Sequence, residues 1–297
     1  MVIYSIKDLE KVSGIKAHTL RIWEKRYGLV SPKRTKSNIR YYTEEDMRHI
    51  LNVCFLYKKG YKISKIAELP PDELKQKVSG YTNIQLSFED QIDALLLFVM
   101  ELDNFQFEQI LDQHIRQKGL EETMTSVIYP FLERLGMAWL SGSFSQMHEA
   151  FVTQIIRSKI IAQTENIPCE TDYKAKYVIY LPPSEGQELS LLYFQYLLKK
   201  NNCRCVNLGT NIQLNDVTHA IDTIQPDYVF TIINENQVIP LQSYLNQLSE
   251  HLVKTRLLIT GYQTVATDLR IPEGVVKLAS LSEAIGFVET GQLGAES

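Results

Sequence analysis

The residues best suited to a chemical task form a basic cluster near the start of the chain. Between Lys16 and Arg40 the sequence carries eight lysine and arginine side chains and one acid, Glu24. Such a concentration of positive charge raises affinity for polyphosphates, because binding releases the counterions condensed on them. The cluster indicates contact with a nucleic-acid backbone, and the alternative interpretation is an ordinary solvated surface.

Two other groups of residues are candidates for chemistry. His148 and Glu149 open a pattern typical of zinc proteases, but Val152 stands where the second histidine is needed. Cys203 and Cys205 are two residues apart on one predicted strand and therefore lie on the same face of it. They are interpreted as a small buried pair, since no other cysteine or histidine cluster joins them. The sequence also has no glycine-rich phosphate loop after a strand. We therefore predict no catalytic site and no metal site, and we expect that the protein is not an enzyme.

The charge is divided unequally along the 297 residues. Residues 1–75 hold 16 of the 31 basic side chains and 9 of the 35 acidic ones, a formal charge of +7 that leaves −11 for residues 76–297. Two parts with different partners are expected. The longest apolar run, Ala94–Met100, is too short to cross a bilayer, the start has no secretion leader, and four scattered cysteines suit a reducing compartment. These features predict a cytoplasmic protein with no membrane partner.

The elements that would position the basic cluster follow a helix–turn–helix pattern. Ser5 is a candidate cap for a first helix, which Gly14 ends. In the next segment, 17–26, helical spacing directs Leu20 and Trp23 toward a core. The same spacing places basic side chains on another face, among them Arg21 and Lys25.

A basic wing is predicted after the second helix. Gly28 breaks the segment 27–42, and Asn38 tolerates the left-handed conformation that a hairpin tip needs. Thr43 then caps a third helix, and a short helix follows near residues 63–69. A winged helix–turn–helix domain over residues 1–72 is the result.

The middle of the chain predicts a small bundle of helices. Pro70 and Pro71 are expected to end the last helix of the winged domain, and residues 73–86 to form a linker. Over 87–168 apolar residues recur at intervals of three and four. Four helices are predicted there, with breaks near residues 103–104, 119 and 141–142.

Residues 175–292 predict an α/β domain. Five short apolar segments alternate with amphipathic ones, which favours a parallel sheet with right-handed crossovers and ligand loops after the strands. The predicted fold class is multidomain α+β: a winged helix–turn–helix, then a four-helix bundle, then a flavodoxin-like α/β domain with a five-stranded parallel sheet.

Several motifs in residues 1–72 resemble the MerR-type winged helix–turn–helix: Tyr4-Ser5-Ile6, Ser13-Gly14-Ile15, Thr19-Leu20-Arg21-Ile22-Trp23-Glu24, Arg26-Tyr27-Gly28-Leu29, Arg40-Tyr41-Tyr42 and Gly60-Tyr61. The resemblance implies that the second helix enters a major groove of DNA while the wing grips the flanking backbone. Base edges would be reached by Lys16, His18 and Thr19. The remaining predicted DNA-binding residues, mostly suited to phosphates, are Arg21, Lys25, Arg26, Tyr27, Lys33, Arg34 and Arg40.

The rest of the chain resembles a cobalamin-binding module, through Trp139, Gly142 and Glu149 of the bundle and the segments Pro183-Ser184-Glu185-Gly186-Gln187-Glu188-Leu189 and Leu208-Gly209. Taken whole, the chain resembles the light- and cobalamin-responsive repressors of carotenoid genes. The resemblance implies an altered cofactor pocket at Trp139, Glu149, Gln187, Gly209 and Gly261. Gln187 stands where cobalamin-dependent members have a cobalt-ligating histidine, Ala150 replaces a second histidine, and Ser190 replaces a glycine.

These observations predict a sequence-specific transcriptional regulator, a repressor that binds double-stranded operator DNA as a homodimer or homotetramer. No cofactor is expected, and Gln187 and Ala150 disfavour cobalamin because imidazole binds cobalt far better than an amide does. Three explanations of the second half stay open: an oligomerisation or protein-binding unit, a pocket for another small molecule, or a corrinoid site without histidine. Two alternative hypotheses are a corrinoid carrier or enzyme, and a regulator whose basic face is occupied by a protein antirepressor.

Overall fold

The computed structural model describes residues 3–35, 38–80, 87–140, 144–168, 171–235 and 239–290, and for residue 79 and residues 138–140 it describes the backbone alone. The chain divides into two compact units, Met1–Ile155 and Ile156–Ser297, and each is treated by itself. No helix in the described ranges combines the length and apolar character that crossing a bilayer requires.

The first unit begins with the predicted winged helix–turn–helix. Its elements are helices α1 (Ile6–Ser13) and α2 (Ala17–Tyr27), strands β1 (Lys33–Arg34) and β2 (Arg40–Tyr41), and helices α3 (Glu44–Lys58), α4 (Ile63–Ile66) and α5 (Pro71–Gly80). Ser5 and Thr43 cap α1 and α3 as predicted, and in each case the third helical residue, Asp8 or Asp46, bonds back to the cap. Gly14 ends α1 in the left-handed conformation, with φ of 72°.

Helix α5 changes the interpretation of the predicted linker. The helix predicted near residues 63–69 does end before Pro70, since α4 stops at Ile66, but Pro71 begins a further helix that continues to Gly80. Proline is favoured in the first turn of a helix, because the N–H groups of that turn have no acceptor within the helix and the lack of one costs nothing. The first part of the predicted linker is therefore helical, and residues 81–86 lie outside the described ranges.

The helical bundle follows, with two of the three predicted breaks. Its helices are α6 (Phe88–Glu101), α7 (Asn104–Thr123), a π-helical turn (Met124–Ile128), α8 (Tyr129–Leu140) and α9 (Gln146–Glu165). Leu102 is left-handed between α6 and α7, and Gly119, with φ of 83°, bends the chain inside α7. The break predicted at residues 141–142 lies outside the described residues.

The second unit is the predicted flavodoxin-like domain. Its strands and helices alternate as β3 (Lys176–Tyr180), α10 (Glu188–Lys200), β4 (Arg204–Gly209), α11 (Leu214–Ile224), β5 (Tyr228–Ile232), α12 (Leu241–Ser249), β6 (Arg256–Thr260), α13 (Tyr262–Ala266), β7 (Val275–Lys277) and α14 (Leu281–Thr290). All five strands pair in parallel in the order β4-β3-β5-β6-β7. Helix α13, five residues long, was not predicted.

Each face of this sheet carries its own buried core. Residues of α10 and α14, such as Phe194 and Phe287, pack on one face against Ile179 and Phe230. Residues of α11 and α12 pack on the other face, which carries Val178. The loops that follow the strands therefore gather at one edge of the sheet, the edge where parallel α/β domains bind ligands. Among the described residues, this carboxyl edge consists of 181–187, 210–213, 233–235, 239–240, 261 and 278–280.

Candidate nucleic-acid interface and carboxyl edge

Helix α2 separates an apolar face from a basic one. Leu20 and Trp23 are buried, and the Trp23 ring meets the ring of Tyr57 edge to face at a centroid distance of 4.8 Å. On the opposite face four predicted side chains are exposed: His18, Arg21, Lys25 and Arg26. The packing of Trp23 thus fixes the rotation of α2 and turns its positive charge to solvent.

The start of α2 is capped from a neighbouring helix. The Glu10 carboxylate accepts a hydrogen bond from the Ala17 N–H group at 3.2 Å and pairs with the Lys16 Nζ atom at 3.2 Å. The pKa of Glu10 is lowered, mainly by the hydrogen bond from Ala17 and next by the hydrogen bond from Lys16. Lys16 therefore shares its charge with an acid, although its side chain is exposed, and Thr19 beside it is half-buried.

The wing is a two-stranded antiparallel ribbon that exposes Lys33, Arg34 and Arg40. Asn38 adopts the predicted left-handed conformation, with φ of 65°. An Arg34 terminal nitrogen donates a hydrogen bond to Asn38 Oδ1 at 2.7 Å, which ties the first strand to the tip. Residues 36 and 37 lie outside the described ranges.

Glu24 joins helix α2 to the wing, a contact that the sequence did not reveal. Its Oε1 atom lies 3.5 Å from Arg40 Nε, and its Oε2 atom accepts a hydrogen bond from the Tyr42 hydroxyl at 3.2 Å. Glu24 and Arg40 are far apart in sequence and only the hairpin brings them together, so no local pattern could have indicated the pair.

The predicted DNA-binding residues thus differ in how their charge is compensated. Lys16 and Arg40 are paired with carboxylates. The Arg26 guanidinium lies over the Tyr27 ring at 5.5 Å. Among the described residues, no carboxylate lies within ion-pair distance of Arg21, Lys25 or Lys33. These three cations can bind anions without first breaking an ion pair.

At the carboxyl edge of the second unit, an acidic side chain binds the neighbouring loop. Glu185, in the loop after β3, is buried, and its Oε1 atom accepts hydrogen bonds from the N–H groups of Asn234 at 3.0 Å and Glu235 at 2.9 Å. Gln187 is half-buried at the start of α10, where its Oε1 atom accepts a bond from Ser190 Oγ at 3.5 Å. The amide of Gln187 thus belongs to the first turn of α10.

The two glycines predicted for the pocket have different roles. Gly261 has φ of 115°, and a Cβ atom there would lie 2.4 Å from the carbonyl oxygen of Ile233, so only glycine fits. Gly209 ends β4 with φ of 88°, and its N–H group donates to Asn207 Oδ1 at 2.8 Å. Gly261 lets β5 and β6 approach at the edge, whereas Gly209 turns the chain.

The carboxyl edge contains no histidine, since the six histidines of the sequence lie at other positions. An amide oxygen or nitrogen is a poor substitute for imidazole on cobalt. The residues of this edge therefore do not fit a histidine-ligated corrinoid. No cluster of three metal-binding side chains occurs among the residues that the structure describes.

The predicted pocket residues of the bundle belong to the first unit. Trp139 lies on α8, and its side chain is outside the description, while Glu149 and Ala150 are exposed in the first turn of α9. His148 is buried, and its Nδ1 atom accepts the Ser145 N–H bond at 3.1 Å. Burial lowers its pKa, and through Nδ1 the imidazole caps the start of α9.

Cys203 and Cys205 lie on the same face of the sheet, within or against the core. Burial raises the pKa of both thiols, that of Cys205 to about 12. Unreactive packing residues fit the sequence interpretation of these cysteines.

The architecture defines a class of protein: a winged-helix DNA-binding regulator whose second unit has the fold of a ligand-binding domain. The helix–turn–helix, the basic wing and the parallel α/β domain are its parts. Residues 4–72 match the family model described as MerR HTH family regulatory protein. The uncharacterized HTH-type transcriptional regulator YyaN of Bacillus subtilis is 31% identical over 134 residues, which are 43% of this chain and 95% of YyaN. The chain belongs to the MerR family of transcriptional regulators.

Similarity to one relative extends well beyond the winged domain. The HTH-type transcriptional repressor CarH of Myxococcus xanthus is 25% identical over 232 residues, which are 76% of this chain and 77% of CarH. The monomethylamine corrinoid protein of Methanosarcina barkeri superposes with a TM-score of 0.50 at 8% identity, covering 69% of this chain and all of that one. The protein is thus a DNA-binding regulator with a module of the cobalamin-binding-like fold.

Proposed function

We propose that this regulator is a sequence-specific repressor that holds operator DNA between α2 and the wing. The observation that carries the proposal is the exposed and uncompensated charge of Arg21, Lys25 and Lys33 on these two elements. Arg26, Arg34 and Arg40 add phosphate contacts, and His18 and Thr19 at the start of α2 reach base edges. Repression follows the relative CarH, which is named a repressor.

The repressor acts as a dimer or tetramer. A single winged domain buries too little DNA surface for operator affinity, and two copies on paired half-sites multiply their affinities. A cytoplasmic location agrees with a DNA target.

The second unit works without a histidine-ligated corrinoid. Gln187 bonds within its own helix, and the carboxyl edge has no imidazole. The module therefore serves as an oligomerisation or protein-binding unit, in preference to a site for another small molecule or for a corrinoid held without histidine. A protein antirepressor that binds the basic face is compatible with this arrangement.

A corrinoid carrier or enzyme is the second candidate function, favoured by the fold shared with a corrinoid protein. The full chain would be mixed with hydroxocobalamin or adenosylcobalamin, desalted, and its visible absorbance recorded. We expect no retained colour. Retained colour at one equivalent per chain would contradict the proposal for the second unit and leave DNA binding to be judged separately.

DNA binding is tested with the full chain and a duplex enriched by this protein from a randomised pool. A scrambled duplex of equal length and composition is the comparison. We expect at least about a hundredfold preference for the enriched duplex at physiological salt. Equal affinity for the two duplexes would refute sequence-specific binding.

A further inference from the structure

Glu24 is the only acid among the basic residues between Lys16 and Arg40, and it lies on the helix proposed to enter DNA. A carboxylate so placed repels phosphates, so its presence calls for a specific role. Its side chain is only 17% exposed. Both of its oxygens have partners, Arg40 on the wing for one and Tyr42 for the other.

Tyr42 provides a rigid anchor for this carboxylate. Its ring is fully buried, and its backbone N–H and carbonyl groups each bond to Tyr4 at 2.8 Å. Burial raises the pKa of Tyr42 to about 12, with Glu24 adding to the effect, so its hydroxyl remains a hydrogen-bond donor. Glu24 is therefore held in place from the domain core.

Arg40 is left with its binding capacity intact. Its Nε atom faces Glu24, and a guanidinium has two further terminal nitrogens with four N–H donors. The side chain is 47% exposed, so these donors can reach solvent or a phosphate. Such a pair fixes the direction of the guanidinium without using the nitrogens that bind phosphate in pairs.

From this geometry we propose that Glu24 is a positioning residue for DNA binding, which locks the wing to α2 and aims Arg40 at the backbone. The proposal rests on the proposed function. It predicts that removing Glu24 weakens specific DNA binding, whereas simple electrostatics predicts that removing an acid from a DNA-binding face strengthens binding.

The test compares Glu24→Gln with wild type in the full chain, on the enriched and the scrambled duplex. Glutamine keeps a hydrogen-bond acceptor for Tyr42 and loses the charge that holds Arg40. We expect affinity for the enriched duplex to fall about threefold to tenfold, as for a partly exposed ion pair, while affinity for the scrambled duplex holds or rises. Glu45→Gln is the matched control, because Glu45 is exposed on α3 of the same domain, and it should not lower specific affinity.

A double-mutant cycle with Arg40→Ala shows whether Glu24 acts through Arg40. If it does, Glu24→Gln no longer weakens specific binding once Arg40 is gone. Tyr42→Phe, which removes only one hydroxyl, serves as a second variant should Glu24→Gln unfold, and it should also weaken specific binding. Unchanged or tighter specific binding by the folded variants, or fully independent effects in the cycle, would overturn the positioning role while wild-type specificity still supports the proposed function.

Discussion

The structure separates basic residues that are free from those that are paired. Arg21 has no carboxylate within ion-pair distance among the described residues, whereas Lys16 lies 3.2 Å from Glu10. Removing a free cation from a DNA interface loses a full phosphate contact, but removing a paired one leaves an acid that is then uncompensated. Two positive charges that look equal in sequence therefore have different expected effects on counterion release.

For Arg21→Ala we expect the slope of log affinity against log salt to flatten by about 0.9, the value for one phosphate contact. For Lys16→Ala we expect a smaller change in slope, since Glu10 already neutralises much of that charge. Both slopes come from fluorescence-anisotropy titrations of the full chain on the enriched duplex. Lys254→Ala, an exposed site in the second unit, is the control. Equal changes for Arg21 and Lys16 would contradict this distinction.

Side-chain types, but not their pairings, could be predicted from the sequence. The basic face of α2, its buried Leu20 and Trp23 and the left-handed Asn38 follow from local spacing and backbone preference. The contacts of Glu24 with Arg40 and of Glu185 with Asn234 join residues far apart in sequence. Those contacts depend on tertiary packing, which a single sequence does not encode in any local pattern.

Gly261→Ala should destabilise the second unit by about 2 to 4 kcal/mol, because its backbone is strained for alanine and a Cβ atom would overlap the Ile233 carbonyl. Gly186→Ala is the matched control, since no atom lies within 4 Å of a Cβ built there and its φ is negative. It should change the free energy of unfolding by less than about 0.5 kcal/mol. Urea unfolding followed by circular dichroism measures both. Similar stabilities of the two variants would show that β5 and β6 can separate.

At the scale of elements, caps and breaks were predictable where one residue determines the backbone. Ser5 and Thr43 form the expected caps, and the chain bends at Gly119 as expected. The helix that begins at Pro71 was not predicted, because proline both ends helices and begins them, and the residues that follow decide which. The short helix α13 carries too few residues to show a period.

The helices of the first unit also carry three histidines whose pKa values are lowered by burial: His49 on α3, His114 on α7 and His148 on α9. Below about pH 6.5 the unfolded chain binds protons that the folded unit does not, so stability falls as the pH is lowered. We expect the melting temperature, followed by tryptophan fluorescence, to decrease from pH 7.5 to pH 5.5. His148→Gln should make the decrease shallower. A melting temperature that is constant or rises on acidification would be inconsistent with these shifts.

At the scale of the whole molecule, the charge is divided between the winged domain and the rest of the chain. The stretch 1–75 has a formal charge of +7 and the remainder −11, so a polyanion is attracted to the first part and, on average, repelled by the second. The proposed oligomer provides the second copy of the basic domain that paired half-sites require.

Light scattering coupled to gel filtration should give a mass near two or four times 34.2 kDa for the full chain. Binding to the enriched duplex should be steeper in protein concentration than binding to a single half-site of the same sequence. A mass of one chain that persists on the duplex would argue against paired copies.

The buried carboxylate of Glu185 has a consequence for the choice of any effector. Adjacent backbone N–H groups at the carboxyl edge of a sheet commonly bind a phosphate or other anion. In this molecule the Glu185 carboxylate already accepts the hydrogen bonds of two such groups, those of Asn234 and Glu235. A nucleotide or sugar phosphate would have to displace the Glu185 carboxylate from these N–H groups. A neutral or cationic molecule, or another polypeptide, would not.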